Sequence, residues 1–362
     1  MDAFFASVEL LRYPELRGLP LVIGGRGDPR EPGHARGVVA TATYEARAFG
    51  IRSGMPMREA LRRCPQARFL PVDFAAYTPV SARFKAVMRA CTPLLEDRGI
   101  DEAYLDISDL AMSSLEVARS LKAGILEATG LTCSVGIAPA KVLAKMASDL
   151  DKPDGISILG EPDLAHDLRE RIWPLPARSL PGVGPRTGER LTAAGITTVG
   201  ELAAAPPAWL AQQFGPSHAS WLHEAANGRD ERGVVTEREP RSRSAERTFA
   251  EDISDLRELA RRIGALCIEV AEEITREGYA ARTVGIKLRF ADFVTCTRDL
   301  SFANWTQDVR ALRRAAFECM KRVEIDRPVR LVGVRVSELR RVEGAGEAPI
   351  GPGMNQELDF GP

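Results

Sequence analysis

The segment Gly99-Ile100-Asp101-Glu102-Ala103-Tyr104-Leu105-Asp106-Ile107 sets two adjacent carboxylates inside a run that otherwise reads as a buried β-strand. Ionised carboxylates are rarely buried without a partner, because desolvation is costly, and a bound cation offsets that cost. Mg²⁺ in phosphate chemistry is typically held by one or two protein carboxylates plus substrate oxygens, so an Asp-Glu pair on a rigid strand suits a two-metal phosphoryl-transfer site. The alternative for a bare Asp-Glu pair is a strand end with solvated acids. Neighbours on a regular strand point to opposite faces, so Asp101 and Glu102 reach one metal cluster only near a strand end or a distortion, which Gly99 would permit. Asp106 shares a face with Glu102 further along and reads as structural.

A chain of 362 residues is long for one core, which predicts two to four domains. A hydrophobic share of 44% with 27% charged residues reads as soluble and globular. The net charge of -1 is not the strongly basic balance that announces a nucleic-acid binder, unless charge is segregated. From Arg241 to Arg341 Lys and Arg do outnumber Asp and Glu, most densely at Lys321, Arg322, Arg327, Arg330 and Arg335. The six cysteines form no Cys-x-x-Cys pair, so neither a zinc site nor a disulfide framework is implied and they read as reduced packing residues. No signal peptide or apolar run of transmembrane length is present, which leaves the cytosol as the default compartment.

The elements that must position the carboxylates follow from patterning. Residues 1 to about 10 read as the tail of a strand entering a helix. A helical pattern from Thr43 to Phe49 is stopped by Gly50. Strand-like runs at Tyr104–Ile107 and Thr132–Ile137 flank a helix near Leu115–Ala128, a β-α-β order that suits a ferredoxin-like unit. From Glu161 to Asn227 the pattern is helical, with Leu180-Pro181-Gly182-Val183-Gly184-Pro185 between two helical stretches, as in a helix-hairpin-helix element. Gly182 and Gly184 there would let backbone N–H groups approach a phosphate, although an ordinary Gly-Pro turn has the same composition. A polar, aperiodic linker covers 229–240. A second α/β unit follows, with strands at Thr283–Phe290 and Arg330–Val336 and helices at Asp255–Arg276 and Thr306–Val323, and then a Gly- and Pro-rich tail that reads as disordered.

Met1-Asp2-Ala3-Phe4-Phe5-Ala6-Ser7-Val8-Glu9 and Ile100-Asp101-Glu102-Ala103-Tyr104-Leu105-Asp106 together resemble the palm motifs of the Y-family DNA polymerases, most closely the DinB-type DNA polymerase IV branch. Further matches follow in family order: Val39-Ala40-Thr41-Ala42-Thr43-Tyr44-Glu45-Ala46-Arg47, Ser134-Val135-Gly136-Ile137-Ala138, Ser148-Asp149-Leu150-Asp151-Lys152-Pro153-Asp154-Gly155 and Leu180-Pro181-Gly182-Val183-Gly184. The resemblance spans nearly the whole chain. It implies an α+β right-hand polymerase with a ferredoxin-like palm (1–10 and 71–159), small fingers (11–70), a helical helix-hairpin-helix thumb (160–228), a linker (229–240), an α/β little finger (241–341) and a tail (342–362). The implied activity is template-directed translesion DNA synthesis, adding dNTPs to a primer 3′ end with low fidelity and no proofreading, in a cytoplasmic, nucleoid-associated bacterial monomer.

Carried over from the family, Asp101 and Glu102 are catalytic carboxylates that hold two Mg²⁺ ions. The family's first metal-binding Asp stands immediately before the position that is Met1 here, so this chain lacks it, and Asp2 matches a second acidic position that is not the principal ligand. Phe5 matches the steric gate, a ring placed where a ribonucleotide projects its 2′-hydroxyl; pressing that hydroxyl against an aromatic face removes water without supplying a partner. Core packing is the alternative for both Phe4 and Phe5, and it is the reading adopted for Phe4. Thr41, Tyr44 and Arg47 align with residues that grip the triphosphate, sharing one face if a single helix includes all three. Lys152 matches a further triphosphate contact. Lys141 and Lys145, four apart, share a helix face that could meet a DNA backbone, and Arg241 and Arg243, one strand repeat apart, could track successive phosphates. In the tail, Gln356-Glu357-Leu358-Asp359-Phe360 resembles the motif that docks bacterial polymerases onto the sliding clamp, with Leu358 and Phe360 as apolar anchors and Gln356 as a polar contact. The absent Asp supports a rival reading, a catalytically inactive accessory protein that binds DNA and the clamp. A nuclease using the same metals lacks any accompanying pattern.

Overall fold

The structure, a computed structural model, describes residues 1–31, 34 and 36–342. These divide into two compact units, Met1–Glu15 with Phe74–Glu237, and Leu16–Asp73 with residues 238–342.

The first unit opens with helix α1 (Phe4–Arg12), which buries Phe4, Ala6, Val8 and Glu9. The Glu9 carboxylate is tolerated inside because the Tyr77 hydroxyl donates to it at 2.7 Å and Arg12 at 3.0 Å. The chain then enters the second unit, where β1 (Leu21–Gly24) forms the middle of a three-stranded sheet. On one side β2 (Val39–Ala42) runs antiparallel to it, and on the other β3 (Arg68–Leu70) runs parallel. The helices α2 (Tyr44–Ala48) and α3 (Met57–Arg63) pack Ala46, Met57 and Ala60 with Val22 and Ile51 into a small core of their own. Thr41 lies on β2 and Thr43 caps α2, so Thr41 does not share a helix face with Tyr44 and Arg47; the helix starts too late for the three-residue spacing to act.

Back in the first unit, α4 (Phe74–Cys91) leads to an antiparallel hairpin of β4 (Leu95–Asp97) and β5 (Ala103–Leu105). The Asp-Glu pair therefore precedes β5 at the hairpin turn rather than lying inside a strand, which removes the opposite-face constraint. Helix α5 (Ser114–Thr129) begins at a capping box of Ser113 and Glu116 and ends at left-handed Gly130. A parallel β-α-β crossover follows, β6 (Val135–Ile137), α6 (Lys141–Leu150) and β7 (Ile156–Ile158). Its tightness rests on Gly136: a Cβ there would stand 2.2 Å from both the Ala144 carbonyl oxygen and the Ser148 nitrogen, so only glycine lets α6 lie against the strand.

The same unit continues through α7 (Leu164–Asp167), α8 (Pro185–Ala193), α9 (Val199–Ala204), α10 (Pro207–Phe214) and α11 (Pro216–Ala226). Leu180, Leu191, Leu202, Leu210 and Leu222 from this helical part share one core with Leu143 and Met146 of α6.

The later part of the second unit is an antiparallel sheet in the order β10-β9-β11-β8, covered by two helices. In chain order it comprises β8 (Ser242–Ile253), α12 (Leu256–Arg276), β9 (Tyr279–Phe290), β10 (Thr295–Thr306), α13 (Val309–Lys321), β11 (Val329–Ser337) and a short β12 (Arg340–Arg341) on β9. Val284, Ile286 and Leu288 of β9 and Val332, Val334 and Val336 of β11 join the core with Leu259, Ile263 and Val270 of α12 and Leu312 of α13. The intervening residues belong to the other face by strand alternation, and register sets Gly333 opposite both Lys287 and Glu246. The edge strands β8 and β10 have few apolar positions, so local patterning does not announce them.

All six cysteines are free, with Cys64, Cys133, Cys267 and Cys319 buried and Cys91 and Cys296 partly accessible. Burial pushes the Cys267 thiol up to about 12, which makes it a poor nucleophile. An aromatic disulfide reagent should titrate Cys91 and Cys296 in the native protein and the other four only after denaturation. Equal reactivity of all six in the native state would contradict this packing.

Candidate active site

The turn carrying the carboxylates is held from below by α4. Lys85, almost wholly buried, donates to both Asp97 carboxylate oxygens at 2.8 and 2.7 Å and to the Gly99 carbonyl at 2.7 Å. Ser81 donates to the Ile100 carbonyl at 2.5 Å. A buried ammonium with three acceptors at one strand end is a rigid anchor, because displacing the turn would strand the charge. Asp101 and Glu102 follow directly on this anchored segment.

Asp101 is half-buried, its carbonyl accepts from the Met1 amino group at 2.8 Å, and its carboxylate takes no hydrogen bond or ion pair among the described residues. Burial pushes its pKa up; the Met1 amino group opposes that, neighbouring Glu102 reinforces it, and Lys145 and Lys152 pull it back down. Glu102 accepts from Lys145 at 2.6 Å. Burial disfavours the Lys145 charge, but Glu102 and then Asp149 outweigh it and hold the ammonium above its ordinary value. Lys152 pairs with Asp149 at 2.6 Å. These five residues form one electrostatic cluster at the C-terminal half of α6.

Among the described residues no group of three or more His, Cys, Asp or Glu could hold a metal ion. The pair present nevertheless fits a hard divalent cation that also takes substrate oxygens. One carboxylate is half-buried and unpartnered, the other is balanced by a single lysine, and both offer the oxygen donors Mg²⁺ prefers. Asp2 is not part of that donor set. It is buried, with Ser134 donating to one carboxylate oxygen at 2.7 Å and the Asp154 amide to the other at 2.9 Å. Asp106 is turned to its own loop, accepting from the Ser108 amide at 3.0 Å.

Phe5 leaves α1 half-exposed and stacks on Tyr77 with ring centroids 4.4 Å apart, while Phe74 meets it edge-on at 5.7 Å. With Phe4 tilted against it at 5.8 Å, three aromatic neighbours restrain its ring plane. Phe4, by contrast, is a core residue.

In the second unit, Tyr44 and Arg47 line a cavity of about 530 Å³ together with Ala42, Arg52 and Ser53. The Arg47 guanidinium lies over the Tyr44 ring at 4.8 Å and its Nε donates to the Ala42 carbonyl at 3.0 Å. Thr41, on the strand before them, is buried. Sequence patterning does not single out Arg52. It is set by hydrogen bonds to the Arg47 and Ile51 carbonyls at 2.7 and 2.8 Å, and its signal, a second arginine just past the helix stop at Gly50, is weak.

Several residues expected to face DNA face protein instead. Lys141 pairs with the buried Glu96 at 2.6 Å and donates to the Gly233 carbonyl at 2.8 Å. Lys145 points to Glu102 and stays partly exposed, so the shared helix face is turned to the β4-β5 hairpin. Arg243 lies on the helix-covered side of β8 and pairs with Glu273 at 3.3 Å and Glu277 at 2.7 Å; an odd-numbered position on this strand faces α12. Arg241 is exposed just before β8. On the uncovered face of that sheet, strand alternation and register instead align Lys287, Arg289 and Arg335. Their signal is present in β9, where Lys287 and Arg289 alternate with Ile286 and Leu288.

At the helical end, Gly182 adopts a left-handed φ of 90° and a Cβ there would meet the Trp221 ring at 2.7 Å, whereas Gly184 caps α8 and a Cβ at that position would meet nothing within 4 Å. The α8 N-terminus is thus approachable at Gly184. Gln356, Leu358 and Phe360 lie outside the described residues.

Two outcomes follow from the charges. Lys141→Met removes the 2.6 Å ion pair of the buried Glu96 carboxylate, which keeps Arg98 at 3.3 Å and the Val235 amide at 3.0 Å, and should lower unfolding free energy by about 1.5–3 kcal/mol in chemical denaturation; a loss too small to measure would contradict the pairing. Because burial raises the Asp101 pKa in the folded chain, its contribution to stability is fully present below the ordinary carboxylate range and is lost as pH rises through the raised value. With divalent cations chelated, Asp101→Asn should therefore gain in Tm relative to the parent between acid and neutral pH, and a pH-independent difference would contradict this.

Comparison with known proteins accords with this geometry. Residues 1–149 match the impB/mucB/samB family, 240–348 its C-terminal domain and 178–230 the thumb domain described for DNA polymerase-iota. The chain is 43% identical to DNA polymerase IV of Alkalilimnicola ehrlichii over 94% of its own length and 93% of that protein's. It is 40% identical to DNA polymerase IV of Methanoculleus marisnigri over 94% and 92%. Among solved structures, a Y-family DNA polymerase chimera of Dbh and Dpo4 superposes with a TM-score of 0.81 at 25% identity, covering 94% of this chain and 98% of that one. With the palm-like β-α-β segment, the helical thumb and the two-helix sheet already in place, these matches show that the chain belongs to the DinB-type DNA polymerase IV family of Y-family DNA polymerases.

Proposed function

We propose that this chain extends a primer 3′ end on a DNA template by nucleotidyl transfer at Asp101 and Glu102, with two Mg²⁺ ions, across damaged as well as intact template. The observation that carries the reading is Asp101: a half-buried, unpartnered carboxylate beside Glu102 and two lysines, on a turn anchored by Lys85. When bound there, Mg²⁺ supplies charge stabilisation for the attacking and leaving oxygens of the phosphoryl transfer. The protein's own part is placement. Lys85 and Ser81 hold the carboxylate turn still, and Lys152 offers an ammonium to the triphosphate. Tyr44, Arg47 and Arg52 line a hollow able to take phosphate oxygens, with Arg47 suited to bidentate contacts.

Phe5 is the steric gate in this reading, supported by the three rings that restrain it. DNA contacts fall to the Gly184 end of α8 and to Arg289, Arg335 and Arg241, which read phosphates without sequence preference. The tail residues Gln356, Leu358 and Phe360 dock on a sliding clamp, a reading that rests on their motif alone. No helix among the described residues is long and apolar enough to cross a membrane, which is compatible with a DNA-bound enzyme of the cytoplasm.

Primer extension with Mg²⁺ and dNTPs on intact and lesion-bearing templates tests the reading. The parent should extend both, and Asp101→Asn or Glu102→Gln should lower the rate by about 10³-fold, the loss of several kcal/mol of transition-state stabilisation. Phe5→Ala should raise ribonucleotide use by on the order of 10- to 100-fold while leaving dNTP extension measurable. A folded parent protein that adds no nucleotide, or carboxylate variants that extend normally, would overturn it.

A further inference from the structure

Charges alternate along a short path on α6 and the segment just after it. Glu102 is paired with Lys145 at 2.6 Å; Lys145 also faces Asp149, one helical turn on, at 3.9 Å; and the other oxygen of Asp149 holds Lys152 at 2.6 Å. The two ends of this path are the groups read above as a metal ligand and a triphosphate contact. Asp149 itself has no assigned role. All four side chains are partly exposed, between 27% and 53%, so none is locked by packing and each can change partner by a rotamer step.

We propose that Asp149 is a positioning residue that exchanges lysines and so couples cation binding at Glu102 to release of Lys152 for the nucleotide. The inference rests on the metal reading of Asp101 and Glu102. A divalent cation held at Glu102 would repel the Lys145 ammonium at the same carboxylate, so Lys145 would have to give up that carboxylate. The nearest alternative acceptor is Asp149, already within 3.9 Å. Once Asp149 takes Lys145 its charge is answered, and its hold on Lys152 weakens. Lys152 then swings to the anionic phosphates, which arrive with the cation. In the cation-free protein the path runs the other way: Asp149 keeps Lys152 occupied and Lys145 keeps Glu102 from standing as an uncompensated charge.

The isosteric variant Asp149→Asn tests this without nucleotide turnover. Mn²⁺ affinity of the free enzyme is read by paramagnetic resonance, and cation-free binding of inorganic tripolyphosphate by calorimetry. Asp149→Asn should weaken Mn²⁺ binding about 10-fold, since displaced Lys145 has nowhere to go, and tighten tripolyphosphate binding several-fold, since Lys152 is released. A purely structural role for Asp149 would weaken both. Loss of a negative charge acting through space would give the same two signs, so the cycle is completed with Lys145→Met. In that background the exchange predicts that Asp149→Asn leaves Mn²⁺ affinity within about twofold, whereas a through-space effect persists in full and overturns the proposal. If Glu102→Gln binds Mn²⁺ as the parent does, it is the metal reading that fails, and that result is separable from a failure of the exchange.

Discussion

The site depends on one constraint, a charged turn that cannot relax. Lys85 is buried and, among the described residues, satisfied by Asp97 and the Gly99 carbonyl, so the end of the β4-β5 hairpin cannot move without stranding its charge. Asp101 and Glu102 inherit that position. A carboxylate left half-buried and unpartnered on a flexible loop would swing into water; here it is kept where desolvation raises its pKa and where a bound cation would gain most. Preorganised charge of this kind is what phosphoryl transfer requires, because little else in the reaction is left for a protein to supply.

A second constraint brings the counter-charges. Gly136 allows α6 to lie on β6 at a distance no other residue permits, and this close packing presents Lys141 to Glu96 and Lys145 to Glu102 across the hairpin. Structure and chemistry part company along this helix. Lys141 answers a buried carboxylate and belongs to the fold, whereas Lys145 answers a half-exposed one and belongs to the site. Phe5 shows a similar division: its neighbour Phe4 is core, while its own ring is stacked but open on one side.

Much of this is legible in the sequence because it is carried by residue type and order. The Asp-Glu pair, the ring at Phe5 and the Tyr44/Arg47 spacing are local signals of residue type, and for the α5 helix, the short helix of Tyr44 and Arg47 and the Leu180–Pro185 turn the structure has elements where the patterns place them. What sequence patterning misreads depends on partners distant in the chain. Periodicity shows that Lys141 and Lys145 share a face, but not that a hairpin some forty residues earlier covers it. Two-residue alternation relates Arg241 to Arg243, but which side of β8 meets α12 is set by Ala245 and Phe249 further along. Thr41 falls on a strand because β2 pairs with β1, a contact outside any local window. The polar edges β8 and β10 carry no apolar run to announce them, and the carboxylate pair looks like strand interior because the hairpin end leaves no Gly-Pro mark beyond Gly99.

The proposed catalysis stands on divalent cations being gripped by Asp101 and Glu102. Crystals of the protein with primer-template DNA, an incoming nucleotide and Mn²⁺, measured at the manganese absorption edge, locate the cations directly. Anomalous peaks are expected at bonding distance from the carboxylate oxygens of both residues and from the nucleotide phosphates. Peaks that touch neither carboxylate, with Lys145 still seated on Glu102, would contradict that grip.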